Sequence, residues 1–265
     1  MRLIVVILLL VTTAGFAQKK KKDKEPTPPA ATQQTAPQQT TPAQPQAQQQ
    51  QQPAGNDTIP TASDILTEHY LRKYSVAARW NDMEVAKDAL YDVIIENPGN
   101  DSLIFTLAYF YYDQEKYASS YLISNDLLAR FPKNPQYLEM AASSAQNLGV
   151  NDKALSNYES LYLINNHIKT LYQIAFLQYQ LKRYAEATNS ISMLMTKPEV
   201  ATEKVVYNDA KGNPKEYVMK ASVLNLKGLV ALDQNDKAGA KKAFTEALAL
   251  APDFVPAKEN MQKTN

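Results

Sequence analysis

Residues 224–252 read LNLKGLVALDQNDKAGAKKAFTEALALAP, and this stretch decides the fold. Leu224 and Gly228 lie four apart, as do Ala240 and Phe244, and Ala247 follows three later. That spacing places small and apolar groups on one face of a helix. Pro252 then ends the run, because proline cannot continue a preceding helix. Toward the N-terminus the small residue recurs at Ala187, Ala154, Ser120 and Ala86. Four residues after each come Ile191, Tyr158, Ser124 and Leu90, of which only Ser124 breaks the apolar pattern. The closing positions are Pro198, Asn166, Pro132 and Pro98. Pro98 to Pro132 spans 34 residues, Ser120 to Ala154 spans 34, Ala154 to Ala187 spans 33, and only Ala187 to Ala240, at 53, is out of step. A period near 34 signals stacked helix–turn–helix units, none of which can bury its own apolar face alone.

The long interval locates an insert near residues 201–217. Val205-Val206-Tyr207 and Tyr217-Val218 are β-prone, and Asn208-Asp209 with Lys211-Gly212-Asn213-Pro214 between them is turn chemistry. A short β-hairpin before the last repeat is the reading adopted. The rival starts a long helix at Asn213, with Pro214 at its first position and Glu216 completing a capping box. In both readings the insert is either a partner contact or a tolerated surface insertion.

The aligned units resemble tetratricopeptide repeats, over about three quarters of the chain. The last unit carries the resemblance best, with Leu224, Gly228, Ala240, Phe244, Ala247 and Pro252 at the pattern's spacing. The second offers Ile104, Leu107, Ala108, Tyr111, Tyr117 and Pro132; the fourth, Leu171, Ile174, Ala175, Tyr184, Ala187 and Ile191. The third offers Leu138, Ala141, Ala142, Gly149, Ala154 and Tyr158. The first is poorest, with Lys73 where an apolar residue is expected. The resemblance implies an all-α, right-handed α-solenoid of about five helical hairpins, covering residues 64–265, whose first helices line a concave groove. Carried over by position, the groove would present Phe105, Tyr109 and Tyr112 from the second unit, Gln146 and Asn147 from the third, and Tyr172, Phe176 and Tyr179 from the fourth. Two aromatic patches bracketing amides suit an extended ligand, since aromatics bury its side chains and amides pair with its backbone. The same aromatics would also serve as packing between units, and the sequence leaves the two roles open.

Chemistry of other kinds is poorly represented. His69 and His167 are the only histidines, and no carboxylate stands at metal-ligand spacing with either. Lys211-Gly212-Asn213-Pro214-Lys215 lacks the second glycine and the Gly-Lys-Ser/Thr ending of a phosphate loop. The expectation is a non-catalytic protein-interaction scaffold with no cofactor and no metal. The alternative is a carbohydrate-binding module whose groove tyrosines stack on sugar rings.

The N-terminal part is of another kind. Arg2 precedes the apolar run Leu3–Val11, and Gly15-Phe16-Ala17 sets small residues before a cut ahead of Gln18. This reads as a signal peptide over 1–17, its run being less than half of the roughly 20 residues a spanning helix needs. From Gln18 to Pro60 there are twelve glutamines and eight of the fifteen prolines, no aromatic residue, and Ile59 as the one large aliphatic. Such composition cannot offset the entropy of ordering, so 18–63 is expected to be a disordered tether. Lys19, Lys20, Lys21 and Lys22 give it a weak attraction to anionic lipid or cell-wall polymer. An exported, periplasmic or cell-envelope protein is expected. Residues 61–265 hold 22 basic and 24 acidic side chains, and no basic stripe suited to nucleic acid. Cysteine is absent, which excludes disulfides.

Overall fold

The computed structural model describes residues 59–264. The expected signal peptide, the Lys19–Lys22 run and the tether up to residue 58 lie outside the described residues. Five helical hairpins follow one another: α1 Ala62–Arg79 with α2 Met83–Glu96, α3 Asp101–Asp113 with α4 Tyr117–Arg130, α5 Pro135–Asn147 with α6 Asn151–Asn165, α7 Ile168–Gln180 with α8 Tyr184–Thr196, and α9 Met219–Asp233 with α10 Lys237–Leu250. A last short helix, α11, spans Val255–Gln262. Each hairpin packs on the next, and the first helices of neighbouring units also touch, α3 with α5 and α7 with α9. The result is an α-solenoid.

The repeat is most exact in the turn inside each hairpin. Asn81, Glu115, Gly149, Lys182 and Asn235 all take left-handed backbone, with φ of 60°, 57°, 75°, 59° and 63°. The next residue's N–H reaches back five places in every case: Asp82 to Ala77, Lys116 to Tyr111, Val150 to Ala145, Arg183 to Gln178 and Asp236 to Ala231, at 2.8–2.9 Å. This is the closing bond of a Schellman motif, which satisfies the orphan carbonyls of the first helix and reverses the chain. Only one of the five turns uses glycine, so the geometry is imposed by the hairpin's packing rather than by residue type.

Packing depends on the small positions. Ala86, Ser120, Ala154, Ala187 and Ala240 are all fully buried where the two helices of a unit approach. Gly228 is the tightest case, since a Cβ there would collide with the Phe244 ring. Ser124, the one break in the apolar pattern, is fully buried too. Ser124 donates to the Ser120 carbonyl at 2.8 Å, and Ser144 donates to the Ser120 hydroxyl at 3.0 Å, so the buried hydroxyls are satisfied. Asn166, which stands in place of a closing proline, ends α6 by turning left-handed at φ 48°. Lys73 holds two carboxylates of α2, Asp88 at 2.6 Å and Asp92 at 3.4 Å.

The insert is a hairpin. β1 Lys204–Asn208 and β2 Pro214–Val218 pair antiparallel, Lys204 opposite Val218 and Asn208 opposite Pro214. The rival reading of a helix from Asn213 is overturned, because helix begins only at Met219. Asp209 accounts for the turn: its carboxylate accepts the N–H of Lys211 at 2.8 Å and of Asn213 at 2.9 Å, and Gly212 takes φ 84°. The hairpin lies against the array instead of projecting freely. Tyr207 and Tyr217 both pack on Phe254, with ring centroids 5.0 and 4.9 Å apart, and Phe254 is fully buried.

Candidate functional site: the row of first helices

The site is built on α3, α5 and α7, lying side by side. On α3, Tyr109 is 56% exposed and free of ring partners, whereas Phe105 rests on Tyr137 of α5, centroids 5.0 Å apart. Tyr112 is half-buried: it meets Tyr117 edge-on at 5.3 Å and its hydroxyl accepts the Asn147 amide at 3.2 Å. Burial and the nearby Tyr117 hold its phenol above the usual tyrosine range, against the hydrogen bonds from Asn147 and Ser143. Asn147 is exposed and also bonds the Ser143 carbonyl at 2.9 Å, so its amide is oriented from below. Gln146 bridges forward, its amide donating to Gln173 of α7 at 3.4 Å. Tyr112 and Asn147 are therefore brought together, and Gln146 links them to the fourth unit.

The fourth unit departs from the sequence expectation. Tyr172 is 4% exposed, because β1 lies over it: the Tyr172 and Tyr207 hydroxyls are 2.6 Å apart. Burial, reinforced by Tyr207, drives the Tyr172 phenol well above its ordinary value. It occupies the expected position on α7, but it is core and presents no free surface to a ligand. Phe176 and Tyr179 are half-buried against the cluster formed by Leu171, Tyr172, Leu194 and Leu226. Burial and the carboxylate of Asp233 push the Tyr179 phenol up to about 12. Tyr184, 6.4 Å from the Tyr179 ring, donates to that same carboxylate at 3.2 Å. Of the eight residues marked in sequence, Tyr109 and Asn147 are open, Phe105, Tyr112, Gln146, Phe176 and Tyr179 are partly open, and Tyr172 is closed.

Sequence reasoning missed the residues that close it. Tyr207 and Glu203 come from the insert; Glu203 pairs with Lys169 at the start of α7, 3.2 Å away. On α9, Ser222 is fully buried beside the Tyr172–Tyr207 pair, and Asn225 accepts from Asn260 of α11 at 3.1 Å. Asp113 and Glu139, both exposed on α3 and α5, form no ion pair among the described residues. The open part of the row is thus slightly acidic. Among the described residues no group of three His, Asp or Glu side chains is placed to hold a metal ion, and no helix is long and apolar enough to cross a membrane.

By sequence, no family model and no curated protein matches the chain. Solved structures do. YrrB, described as a TPR protein with an unusual peptide-binding site, superposes with a TM-score of 0.58 at 13% identity, covering 76% of this chain and 98% of its own. A MamA protein gives 0.55 at 12% identity, covering 71% and 92%. MamA from Desulfovibrio magneticus RS-1 gives 0.55 at 10%, covering 71% and 97%. At such identities the likeness speaks of fold, and it agrees with the helix order, the turns and the small positions described above: the chain has the tetratricopeptide-repeat fold.

Proposed function

We propose that this protein is a non-catalytic scaffold that holds an extended segment of another protein along the first helices of its second to fourth units. The observation that carries the reading is the state of α3 and α5. Tyr109 stands exposed beside a Tyr112–Asn147 pair whose polar atoms are already oriented, and this combination of amphipathic ring and fixed amide suits a peptide backbone. Asp113 and Glu139, which form no ion pair among the described residues, favour a segment carrying a basic side chain. The likeness to YrrB adds support, since that protein's description includes a peptide-binding site. Export to the cell envelope is part of the proposal and rests on residues 2–17.

The test is to isolate the full chain with its bound proteins from producing cells and identify them by mass spectrometry. The combined Tyr109→Ala and Asn147→Ala variant is expected to lose the bound protein at least tenfold while its thermal midpoint stays put. Binding that survives both changes contradicts the site. Selective binding on a glycan array would transfer the role to the carbohydrate reading. Recovery of a mature chain beginning at Gln18 supports export, and recovery of Met1 contradicts it.

A further inference from the structure

We propose that the outer edge of β1 is a pairing strand, to which the partner's extended segment adds as a third strand where it reaches the end of the open row. This deepens the groove reading and rests on it. The phase of the hairpin decides which groups are free. Met219 N–H donates to the Glu203 carbonyl at 2.7 Å and Asp209 N–H to the Asn213 carbonyl at 2.8 Å, bracketing the ladder. Bonded and non-bonded pairs alternate in an antiparallel pair. Val205 opposite Tyr217 and Tyr207 opposite Lys215 are therefore the bonded pairs, and Lys204, Val206 and Asn208 turn their N–H and C=O groups away from β2. None of those groups bonds a partner among the described residues.

The two edges of this small sheet are not equivalent. The outer edge of β2 carries Pro214, which has no N–H, and Glu216, and at Val218 it runs straight into α9. Proline and charge are the ordinary means of blunting an edge. β1 carries charge only at its first residue, Lys204, and continues with Val206 and Asn208, so no proline or further charge blocks the rest of its outer edge. The side chains tie the two strands to different parts of the array. β2 is anchored toward the C-terminal end: Lys215 pairs with Asp253, and the Tyr217 hydroxyl donates to the Asp253 carbonyl at 3.3 Å. β1 is anchored on α7, through Glu203 beside it to Lys169 and through Tyr207 to Tyr172, although Tyr207 also touches Phe254. β1 is thus tied to α7, the helix that follows α3 and α5 in the row.

Free main-chain donors and acceptors in alternation specify the occupant, an extended and proline-free peptide backbone. Neighbouring helices lie about 8–10 Å apart, so a path from α3 across α5 and α7 to β1 covers about 30 Å, or about nine extended residues. The charges at its far end already cancel in pairs, Lys204 with Glu216 and Lys169 with Glu203. The segment is accordingly basic where it meets Asp113 and Glu139 and uncharged where it pairs with β1.

A random twelve-residue peptide library displayed on phage, selected against the full chain, supplies the probe. Val206→Pro removes an outward N–H that the ladder does not use, a change edge strands tolerate, and Val206→Ala keeps the N–H as its control. The selected peptides should bind Val206→Pro at least tenfold more weakly and Val206→Ala within threefold of the parent. In the parent, amide exchange at Val206 and Asn208 should slow at least tenfold when peptide is added, and this reading stands whether or not the proline variant folds. Peptides that need Tyr109 but ignore Val206→Pro, and leave those amides unprotected, overturn the pairing strand and keep the groove. A library that yields no peptide for the parent chain retires both.

Discussion

The two ends of the array are finished differently. At the C-terminal end the hairpin and α11 cover the last two units, and Tyr172, Ser222, Asn225 and Phe254 are all buried. At the N-terminal end nothing among the described residues covers α1: Ala77 is its single buried residue, Trp80 is 75% exposed, and Val76 and Val85 are about 40% exposed. Those apolar groups border a shallow depression of about 420 Å³ between α1 and α2. A solenoid end has no following unit to bury its apolar face, so it needs a cap. The C-terminal cap is made by an insertion, and it takes up positions that the repeat pattern would otherwise present to a ligand. Capping and binding compete for the same row, which is why the open part of the row lies in α3 and α5.

Phe254 should be the most sensitive point of that contrast. It is fully buried and holds both strands of the insert through Tyr207 and Tyr217. Phe254→Ala is expected to cost about 3–5 kcal/mol by urea unfolding, whereas Trp80→Ala at the other end should stay within about 0.5 kcal/mol. Equal losses at the two ends would remove the distinction. Gly228→Ala comes next, since its methyl must displace the Phe244 ring. About 1–3 kcal/mol of destabilisation is expected from overpacking there. A neutral result would mean that α9 and α10 do not approach as closely as described.

Alkali should also act on the C-terminal end first. Burial raises the phenols of Tyr172 and Tyr207 above the ordinary tyrosine value of about 10. A raised folded value means the native state holds a proton the unfolded chain releases, so this stability is complete below pH 10 and falls as pH rises beyond it. A late step of phenolate absorbance should therefore accompany loss of helix, and Tyr172→Phe should move that transition upward in pH. Early titration of all tyrosines in a folded chain would contradict the buried pair. The smallest effect is expected in the turns. Glu115 and Lys182 are held left-handed, where glycine is unstrained. Glu115→Gly and Lys182→Gly should each raise stability by up to about 1 kcal/mol, and a loss would show that their side chains matter more than their backbone.

The period and the small residues were enough to read the fold, because Ala86, Ala154, Ala187 and Ala240 perform a steric task few residues can perform. The insert was legible as a hairpin from Val205-Val206-Tyr207 and Asp209 to Gly212, since β-propensity and turn chemistry are local. The left-handed turns were not legible: Asn, Glu, Gly and Lys all occupy them, and only the assembled hairpin requires that backbone. Ser124 breaks the apolar pattern in sequence, and its place in the core depends on a hydrogen-bonded group with Ser120 and Ser144 that spans two units. Tyr172 shows the same limit at the site. Its place on α7 followed from the repeat, but its burial depends on Tyr207, 35 residues away and outside the repeat.

The central claim is that the row is open at Tyr109 of α3 and closed at Tyr172 of α7. A photoreactive phenylalanine analogue placed at Tyr109 or at Tyr172 of the full chain, irradiated in producing cells and read by mass spectrometry, tests it directly. The expected result is a cross-link to another protein from position 109, and from position 172 only cross-links within the chain, to the hairpin. Intermolecular cross-links from position 172 as abundant as those from 109 would contradict it.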